Sequence, residues 1–318
     1  MSTNVAQFLA AEHPTAFSFE VLPPVRGKSI EQVFKTIDRL MPFNPAYINI
    51  TTHRSEVVYR EVADGVFQRS FERKRPGTVA IAAALKGRYG VPAVPHLICS
   101  GFSKAEIENE LIDLSYLGIT NLLVLRGDRA KGENSFVPAA GGHAHAVDLC
   151  RQVEEFNRGV MLDGEEHEPL HRFSFGVAGY PEKHEEAMNL DIDIEYLKAK
   201  IDAGAQYVVT QMFFDNEKYF SFVERCRAAG ITVPIIPGIK PLTSLTQQAL
   251  LPKTFHIDLP MDLAKELRRC ESNDDVKALG VEWGIQQARE LKQAGVPSIH
   301  FYSMNAAASV EAIAKAVY

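Results

Sequence analysis

Hydrophobic positions recur along this chain with two different periods, one typical of strands and one typical of helices. The first strand-like run places Phe17 and Phe19 on one side and Ser18 and Glu20 on the other, because side chains alternate along a strand. Two prolines follow and end this predicted strand. A single carboxylate therefore stands near the end of the first strand, on the opposite side from the aromatic residues.

Seven further short runs have strand composition and are apolar on both sides. They are predicted at 46–51, 93–98, 120–125, 173–178, 206–212, 234–238 and 298–302. Helical spacing separates them. Helices are predicted at 3–11, 29–40, 56–70, 78–87, 103–118, 143–157, 194–203, 217–229 and 306–317, with a broken helical region at 243–294. Residues 129–142 are predicted as a loop and 158–171 as a polar surface insertion.

This order of elements favours a (β/α)8 TIM barrel formed by one domain over residues 1–318. Strands that are apolar on both faces are typical of parallel sheets covered by helices, and eight such units fit one barrel. The structural rival is a doubly wound sheet, which usually carries a glycine-rich phosphate loop after its first strand. The chain has Leu22-Pro23-Pro24 there and no GxGxxG pattern.

Composition narrows the class of protein. The chain is 46% apolar and 23% charged with a net charge of −6, which is typical of globular proteins and gives no indication of nucleic-acid binding. The four cysteines are far apart and form no CxxC motif, so we expect reduced thiols in a cytoplasmic protein. Neither a signal peptide nor a membrane span is predicted.

Polar side chains are concentrated where the predicted strands end, which is where barrel enzymes carry their active sites. The members are Glu20, Thr51, Thr52, His53, His96, Arg126, Gly127, Asp128, Tyr180, His184, Gln211, Lys240, Tyr302 and Asn305. Each also has a simpler interpretation. Glu20 could be a solvated residue at a loop edge, His96 a histidine at the edge of the core, and Lys240 the cap of a loop. Arg126 and Asp128 could pair across a turn.

The residues alone do not decide the chemistry. A metal site needs about three converging ligands, and the only obvious carboxylates in the ring are Glu20 and Asp128, so no metal is predicted. A Schiff-base mechanism needs a lysine in an apolar lumen, whereas Lys240 follows its predicted strand. This reasoning stops at a barrel enzyme with a carboxylic acid and a site for an anion or a heterocycle.

Eight motifs occur together and in order, and with them the chain resembles methylenetetrahydrofolate reductase over about residues 15–306. They are Phe17–Pro24, Pro95–Leu97, Leu125–Asp128, Ala178–His184, Asp202–Ala205, Thr210–Asp215, Ile235–Ile239 and His300–Tyr302. The family fold is a (β/α)8 barrel that binds FAD without a Rossmann domain, which agrees with the missing GxGxxG.

The resemblance implies two half-reactions at one FAD, in ping-pong order. NADH or NADPH reduces the flavin, which then reduces 5,10-methylenetetrahydrofolate to 5-methyltetrahydrofolate. Opening the one-carbon bridge requires a proton on the departing nitrogen, hence a general acid. By matched position, Glu20 is that acid, Asp128 binds the pterin near the flavin, and Gln211 and Gln247 bind the folate.

The implied FAD site is larger. Its residues are Thr52, His96, Arg126, Gly127, Asp128, Ala146, Tyr180, His184, Asp193 and Lys200, with Thr51 facing the nicotinamide. Arg126 and Lys200 suit ribose oxygens or pyrophosphate. The chain departs from the better-known bacterial pattern at Tyr196, Ala199, Leu251 and Ala306.

We further expect a homo-oligomer without the C-terminal regulatory domain of the eukaryotic enzymes. The alternatives are another FAD barrel oxidoreductase, such as a proline dehydrogenase relative, and a non-catalytic barrel that binds folate or flavin. Asp128 with Gln211 favours the folate enzyme over the first alternative. The acid Glu20 argues against the second.

Overall fold

The computed structural model describes residues 4–130, 132–169, 171–304 and 306–318. Within these ranges the chain folds as a nearly closed parallel barrel surrounded by helices, which confirms the predicted fold class. The barrel strands are β1 (Ala16–Val21), β2 (Tyr47–Ile50), β5 (Ala93–Ile98), β6 (Asn121–Leu125), β7 (Ser174–Gly179), β8 (Tyr207–Thr210), β9 (Ile235–Ile236), β10 (Gly238–Ile239) and β11 (Ser298–Tyr302).

The strand predicted at 234–238 is interrupted at Pro237, which cannot donate to a strand ladder. Its first half, β9, pairs with β8, and its second half, β10, pairs with β11. The order β10-β11-β1-β2-β5-β6-β7-β8-β9 therefore closes through one broken strand. Each of these pairings is parallel, as eight βα units require.

The helices surround the strands. They are α1 (Val5–Ala10), α2 (Glu31–Leu40), α3 (Thr78–Tyr89), α4 (Lys104–Tyr116), α5 (Ala146–Asn157), α6 (Leu190–Asp202), α7 (Asn216–Ala228), α8 (Gln247–Phe255), α9 (Met261–Leu267), α10 (Asn273–Gln293) and α11 (Ala307–Val317), with a 3-10 turn at Met41–Phe43. The last strand-to-helix region, predicted as helical with breaks, forms α8 to α10. Residue 3, with which the first helix was predicted to begin, lies outside the described ranges.

Each barrel strand divides its side chains between two buried layers. Phe17 and Phe19 belong to the layer between strands and helices, as their alternation predicts. Tyr47 and Tyr207 belong to a second cluster inside the lumen. Apolar side chains of α1, including Leu9, pack against this lumen cluster and fill one end of the barrel. A functional site in the lumen is therefore expected at the other end, where the strands finish.

Local signals explain why α6 begins earlier than predicted. The Asn189 side chain accepts a hydrogen bond from the Ile192 amide at 2.9 Å and caps the helix. The helix therefore starts at Leu190, four residues before the predicted start at 194. This extension carries Asp193 on the first turn of α6, where it reaches the site described below.

The helix predicted at 56–70 is wrong. These residues form an antiparallel hairpin of β3 (Glu56–Ala63) and β4 (Val66–Glu72), joined at Asp64-Gly65. An Asp-Gly pair between runs rich in β-branched and aromatic residues is a strong hairpin signal, and it outweighs the helical spacing. Tyr59, Phe67 and Phe71 on this hairpin are exposed, so the pattern of apolar residues did not mark a buried helix face.

Two loops behave as predicted. Residues 129–142 form no helix or strand where the structure describes them, and the described residues of the 158–171 insertion contain only a bridge between Val160 and Glu166. Lys131 and Leu170 lie outside the described residues. No helix in the described part of the chain is both long enough and apolar enough to cross a membrane.

Candidate active site

The first half of the site stands inside the barrel lumen and is called here the lumen group: Glu20, His96, Lys240 and Tyr302. Glu20 lies level with Tyr302 across the β1–β11 pairing. Ile239 lies level with Phe301 across β10–β11, so Lys240, the next residue, is level with Tyr302. Strand register thus places the carboxyl of Glu20, the phenol of Tyr302 and the amine of Lys240 at one height, at the ends of three strands that lie side by side.

Three members of the lumen group are buried, and Tyr302 is partly buried. Glu20 is 4% exposed, His96 7% and Lys240 8%. The His96 Nε2 lies 3.8 Å from the Glu20 Oε2. Burial raises the pKa of Glu20 to about 7, an effect that Lys240 opposes. Glu20 therefore titrates near neutrality, where a carboxyl can serve as a general acid.

His96 is not a cation at neutral pH. Burial, assisted by His53, lowers the pKa of His96 to about 3. A neutral imidazole can share hydrogen bonds with its neighbours, and its Nε2 is 3.3 Å from the Asn49 amide nitrogen. Lys240 is therefore the basic group that acts on Glu20 by its charge. Burial lowers the pKa of Lys240, and Glu20 raises it.

Deeper in the lumen the polar side chains are linked to one another. The Ser18 hydroxyl lies 3.0 Å from the His300 Nδ1 and 3.1 Å from the Ser298 hydroxyl. Burial and His96 lower the pKa of His300 to about 3. This network is uncharged at neutral pH, so it supports the lumen group without adding charge beside Glu20.

The second half of the site is built from loops and is called here the loop group: Arg126, Asp128, Tyr180, His184, Asp193 and Lys200. Arg126 forms an ion pair with Glu186 and lies over the Phe136 ring, 4.6 Å from its centre. The rings of Tyr180 and His184 meet edge to face at 4.8 Å. The sequence left open a pairing of Arg126 with Asp128. In the structure Arg126 pairs with Glu186 instead.

Asp128 stands at the exposed rim of the loop group. Gly127 before it has φ +81°, and a β-carbon there would meet the Ser100 β-carbon at 2.9 Å, so a residue without a side chain suits this turn. The Ser100 hydroxyl donates to the Asp128 carbonyl at 2.7 Å. The carboxylate of Asp128 acts by its charge on both His53 and Tyr180.

Asp193 and Lys200 tie α6 to the loop group. The Asp193 Oδ2 accepts a hydrogen bond from the His184 amide at 2.8 Å, and the Lys200 ammonium donates to the Ala178 carbonyl at 2.7 Å. Burial raises the pKa of Asp193, an effect that the His184 amide and Lys200 oppose. Their charges hold the 180–184 loop against the helix.

The remaining predicted site residues sit around the same rim. Thr52 donates to the His96 carbonyl, and Thr51 follows β2 beside the end of β1, where its amide donates to the Val21 carbonyl at 3.1 Å. Gln211 follows β8 and accepts from the Met212 amide at 2.9 Å. Gln247 opens α8 and accepts from the Thr243 amide at 2.7 Å. Ala146 is the first residue of α5.

The positions that depart from the better-known bacterial pattern fall into two kinds. Tyr196 and Ala199 are exposed on α6, and Leu251 and Ala306 are each 3% exposed. Asn305, which the sequence placed in the polar ring, lies outside the described residues.

The sequence did not predict that Lys240 lies in the lumen or that Glu186 is the partner of Arg126. Lys240 looked like a loop residue because it follows Pro237-Gly238-Ile239, yet alternation continued from Ile239 indicates a side chain in the lumen. Glu186 lies 60 residues from Arg126 in sequence, and no local pattern joins them.

The site thus combines a buried carboxyl of raised pKa with a loop cluster of both charge signs, the arrangement of a barrel enzyme. The methylenetetrahydrofolate reductase family model matches residues 5–318, and the chain belongs to this family. It is 31% identical over 291 residues to the 5,10-methylenetetrahydrofolate reductase of Escherichia coli, covering 91% of this chain and 86% of that protein.

Longer relatives match as well. Methylenetetrahydrofolate reductase (NADH) 1 of Arabidopsis thaliana is 32% identical over 92% of this chain and 46% of its own length. A probable methylenetetrahydrofolate reductase (NADPH) of Caenorhabditis elegans is 31% identical over 97% of this chain and 43% of its own. The chain thus spans about half the length of these two relatives.

Among solved structures, an uncharacterized Clostridium thermocellum protein that binds two copies of 5-methyl-5,6,7,8-tetrahydrofolic acid has the same fold. The TM-score is 0.61 with 15% identity, covering 98% of this chain and 96% of that one. At this identity the likeness concerns the fold alone. The relatives named here are reductases, and none is a proline dehydrogenase.

Proposed function

We propose that this protein is an FAD-dependent methylenetetrahydrofolate reductase that uses a nicotinamide as hydride donor. The observation that carries the proposal is Glu20, a buried carboxyl whose pKa is raised to about 7 at the mouth of a barrel of this family. Reduction of 5,10-methylenetetrahydrofolate needs a proton on the departing nitrogen before the one-carbon bridge can accept hydride. A half-protonated buried acid supplies that proton at neutral pH.

The loop group fits FAD. Arg126 has a buried Nε with no hydrogen-bond partner in the described residues, and such a donor favours an incoming anion. Lys200 and His184 extend the polar surface on the same side, and His96 and Thr52 border it across the mouth. A bound FAD would supply the redox centre that accepts hydride from the nicotinamide and passes it to the folate.

The loop group and the lumen group have different roles in this proposal. Asp128, exposed at the rim, offers a carboxylate to the donor groups of a pterin. Gln211 and Gln247 add amides that can both donate and accept. Glu20 lies deeper, where water is scarce, so its proton passes to a bound ligand rather than to solvent. Thr51 stands at the end of β2 beside the expected nicotinamide position.

The proposal extends to the hydride donor, the oligomeric state and the location of the protein. The donor is NADH or NADPH, since the relatives include enzymes named for each nucleotide. A homo-oligomeric, cytoplasmic enzyme remains our prediction.

An anaerobic spectrum tests the proposal. The purified protein, supplied with FAD, should show a bound-flavin spectrum that bleaches when NADH or NADPH is added. Adding 5,10-methylenetetrahydrofolate should then restore the oxidised spectrum and yield one 5-methyltetrahydrofolate per flavin. Failure to bind FAD would remove the flavin mechanism, and bleaching without reoxidation by the folate would remove the assigned substrate.

A further inference from the structure

Lys240 has no role in the function proposed above, yet it is a buried lysine in the same lumen as the proposed acid Glu20. It is 8% exposed and follows β10, whose Ile239 packs in the outer layer between strands and helices. By alternation the next side chain enters the lumen. A buried amine is unfavourable unless an acidic group accompanies it.

Glu20 is that group. The two residues are level across β10, β11 and β1, with Tyr302 of the middle strand between them. Each acts on the other by its charge, and Glu20 is the charged group among the described residues that acts on Lys240.

The other titratable groups that face Glu20 are uncharged near neutral pH. His96 on β5 and His300 on β11 have pKa values lowered to about 3 by burial. Burial raises the pKa of the Tyr302 phenol, which keeps its proton and donates to the Thr210 carbonyl. Among the described residues, the charge that a carboxylate at position 20 would meet inside the lumen is therefore that of Lys240.

We propose that Lys240 is a positioning residue of the folate half-reaction, which sets how strongly Glu20 holds its proton and stabilises the carboxylate left after the proton departs. The inference rests on the proposed role of Glu20 as the acid. When Glu20 protonates the folate nitrogen, its O–H bond breaks and a negative charge appears in a buried lumen. A cation already in place at the end of β10, two strands away, stabilises that charge without rearrangement.

Lys240→Met tests this, because methionine keeps the length and apolar stem of lysine and removes the charge. Without the ammonium, Glu20 should hold its proton more tightly and ionise at a pH higher by about one unit. Infrared difference spectroscopy measures this directly as the loss of the protonated carboxyl band with rising pH. The band is assigned by its absence in Glu20→Gln, and the measurement needs neither FAD nor folate.

Kinetics supply the second readout. In Lys240→Met the high-pH fall in folate reduction should move upward with the ionisation of Glu20. The rate on the low-pH plateau should drop by up to about tenfold, because an acid weaker by about one unit transfers its proton more slowly. Flavin reduction by the nicotinamide should stay within about twofold, since that step requires no acid. Lys240→Arg should restore part of the rate by restoring the charge.

Lys253→Met, on the exposed surface of α8, is the matched control and should change neither readout. Lys240→Gln serves in place of the methionine variant if that protein does not fold. An unchanged ionisation of Glu20 in a folded Lys240 variant would overturn the inference whatever the activity. A shifted ionisation with an unchanged pH profile would also overturn it, and would specifically remove Glu20 from the folate step.

Discussion

The two halves of the site are built in different ways. The lumen group stands on strands, is held by register, and its acid and amine are each less than one tenth exposed. The loop group stands on the segments after β6 and β7 and on α6, and its Asp128 is open to solvent. Burial shifts the pKa of Glu20 to about 7, whereas ion pairs such as Arg126–Glu186 organise the loops.

This difference indicates that the lumen group serves proton transfer and the loop group serves binding. A proton donor that must work near neutral pH needs a dry and rigid position, which strands provide. A cofactor and two alternating substrates need an accessible surface that can adjust, which loops provide. Changes in the lumen should therefore alter the fold or the proton chemistry, and changes in the loops should alter binding.

The packing of the lumen gives the largest expected effect. A β-carbon at Gly176 would overlap the Tyr207 ring, which is fully buried and fixed by a 3.0 Å hydrogen bond to the Leu122 carbonyl. Gly176→Val should lower the free energy of unfolding by at least about 3 kcal/mol, measured by denaturant titration. Gly87→Ala, in open space on α3, should leave stability equal or slightly higher. A tolerated valine would show that the lumen is not rigid.

Removing Arg126 tests the loop group as the cofactor site. Arg126→Ala should weaken FAD binding about thirtyfold, within the ~1.5–3 kcal/mol of charge-assisted hydrogen bonds. Titration of the apoprotein with FAD, followed by flavin fluorescence, measures the change. Glu186→Gln is the matched control, because it removes the exposed partner and keeps the guanidinium. Equal losses in both variants would mean that the ion pair, not the cation, shapes the site.

Replacing the exposed carboxylate should affect the folate more than the fold. Asp128→Asn should slow folate reduction about tenfold and weaken folate binding, because a charge-assisted acceptor is lost. It should also make the flavin easier to reduce, since a negative charge near the ring disfavours a reduced anion. Redox titration of the bound flavin checks the second effect. An unchanged potential would place Asp128 away from the ring.

The acidity of Glu20 predicts a smaller effect in the unaltered protein. With a pKa of about 7, the protonated fraction falls as pH rises, so the folate half-reaction should slow about fivefold between pH 7 and 8. Flavin reduction by the nicotinamide should lack this decline. Rapid mixing of the pre-reduced protein with folate across this range measures it. A rate that increased with pH would require a base in place of the acid.

Much of the lumen group could be read from the sequence because strand alternation is a local rule. It placed Ser18 and Glu20 on the side away from Phe17 and Phe19, and the two layers of the structure agree. Lys240 was predicted to lie outside its strand because it follows Gly238 and Ile239, whereas the structure continues that strand past Pro237 to Ile239. Periodicity carries across such a break, although the hydrogen-bond ladder does not.

The loop group could not be derived in this way. Arg126 meets Glu186, and Asp193 meets His184, through loop conformations and a helix start that local patterns do not specify. Only the resemblance to the family brought Arg126, Asp193 and Lys200 together. The hairpin at 56–72 was missed for a related reason, because its apolar residues face solvent and their spacing imitates a helix.

In the proposed mechanism Glu20 gives its proton to the folate and has no part in the nicotinamide step. Glu20→Gln keeps the shape of the side chain and cannot donate that proton. Rapid mixing on the two half-reactions separately is the most direct test. We expect normal FAD binding, bleaching by the nicotinamide within about threefold of the parent, and reoxidation by 5,10-methylenetetrahydrofolate at least ~10²-fold slower. Equal slowing of both half-reactions would contradict it and make Glu20 a residue that only positions the flavin.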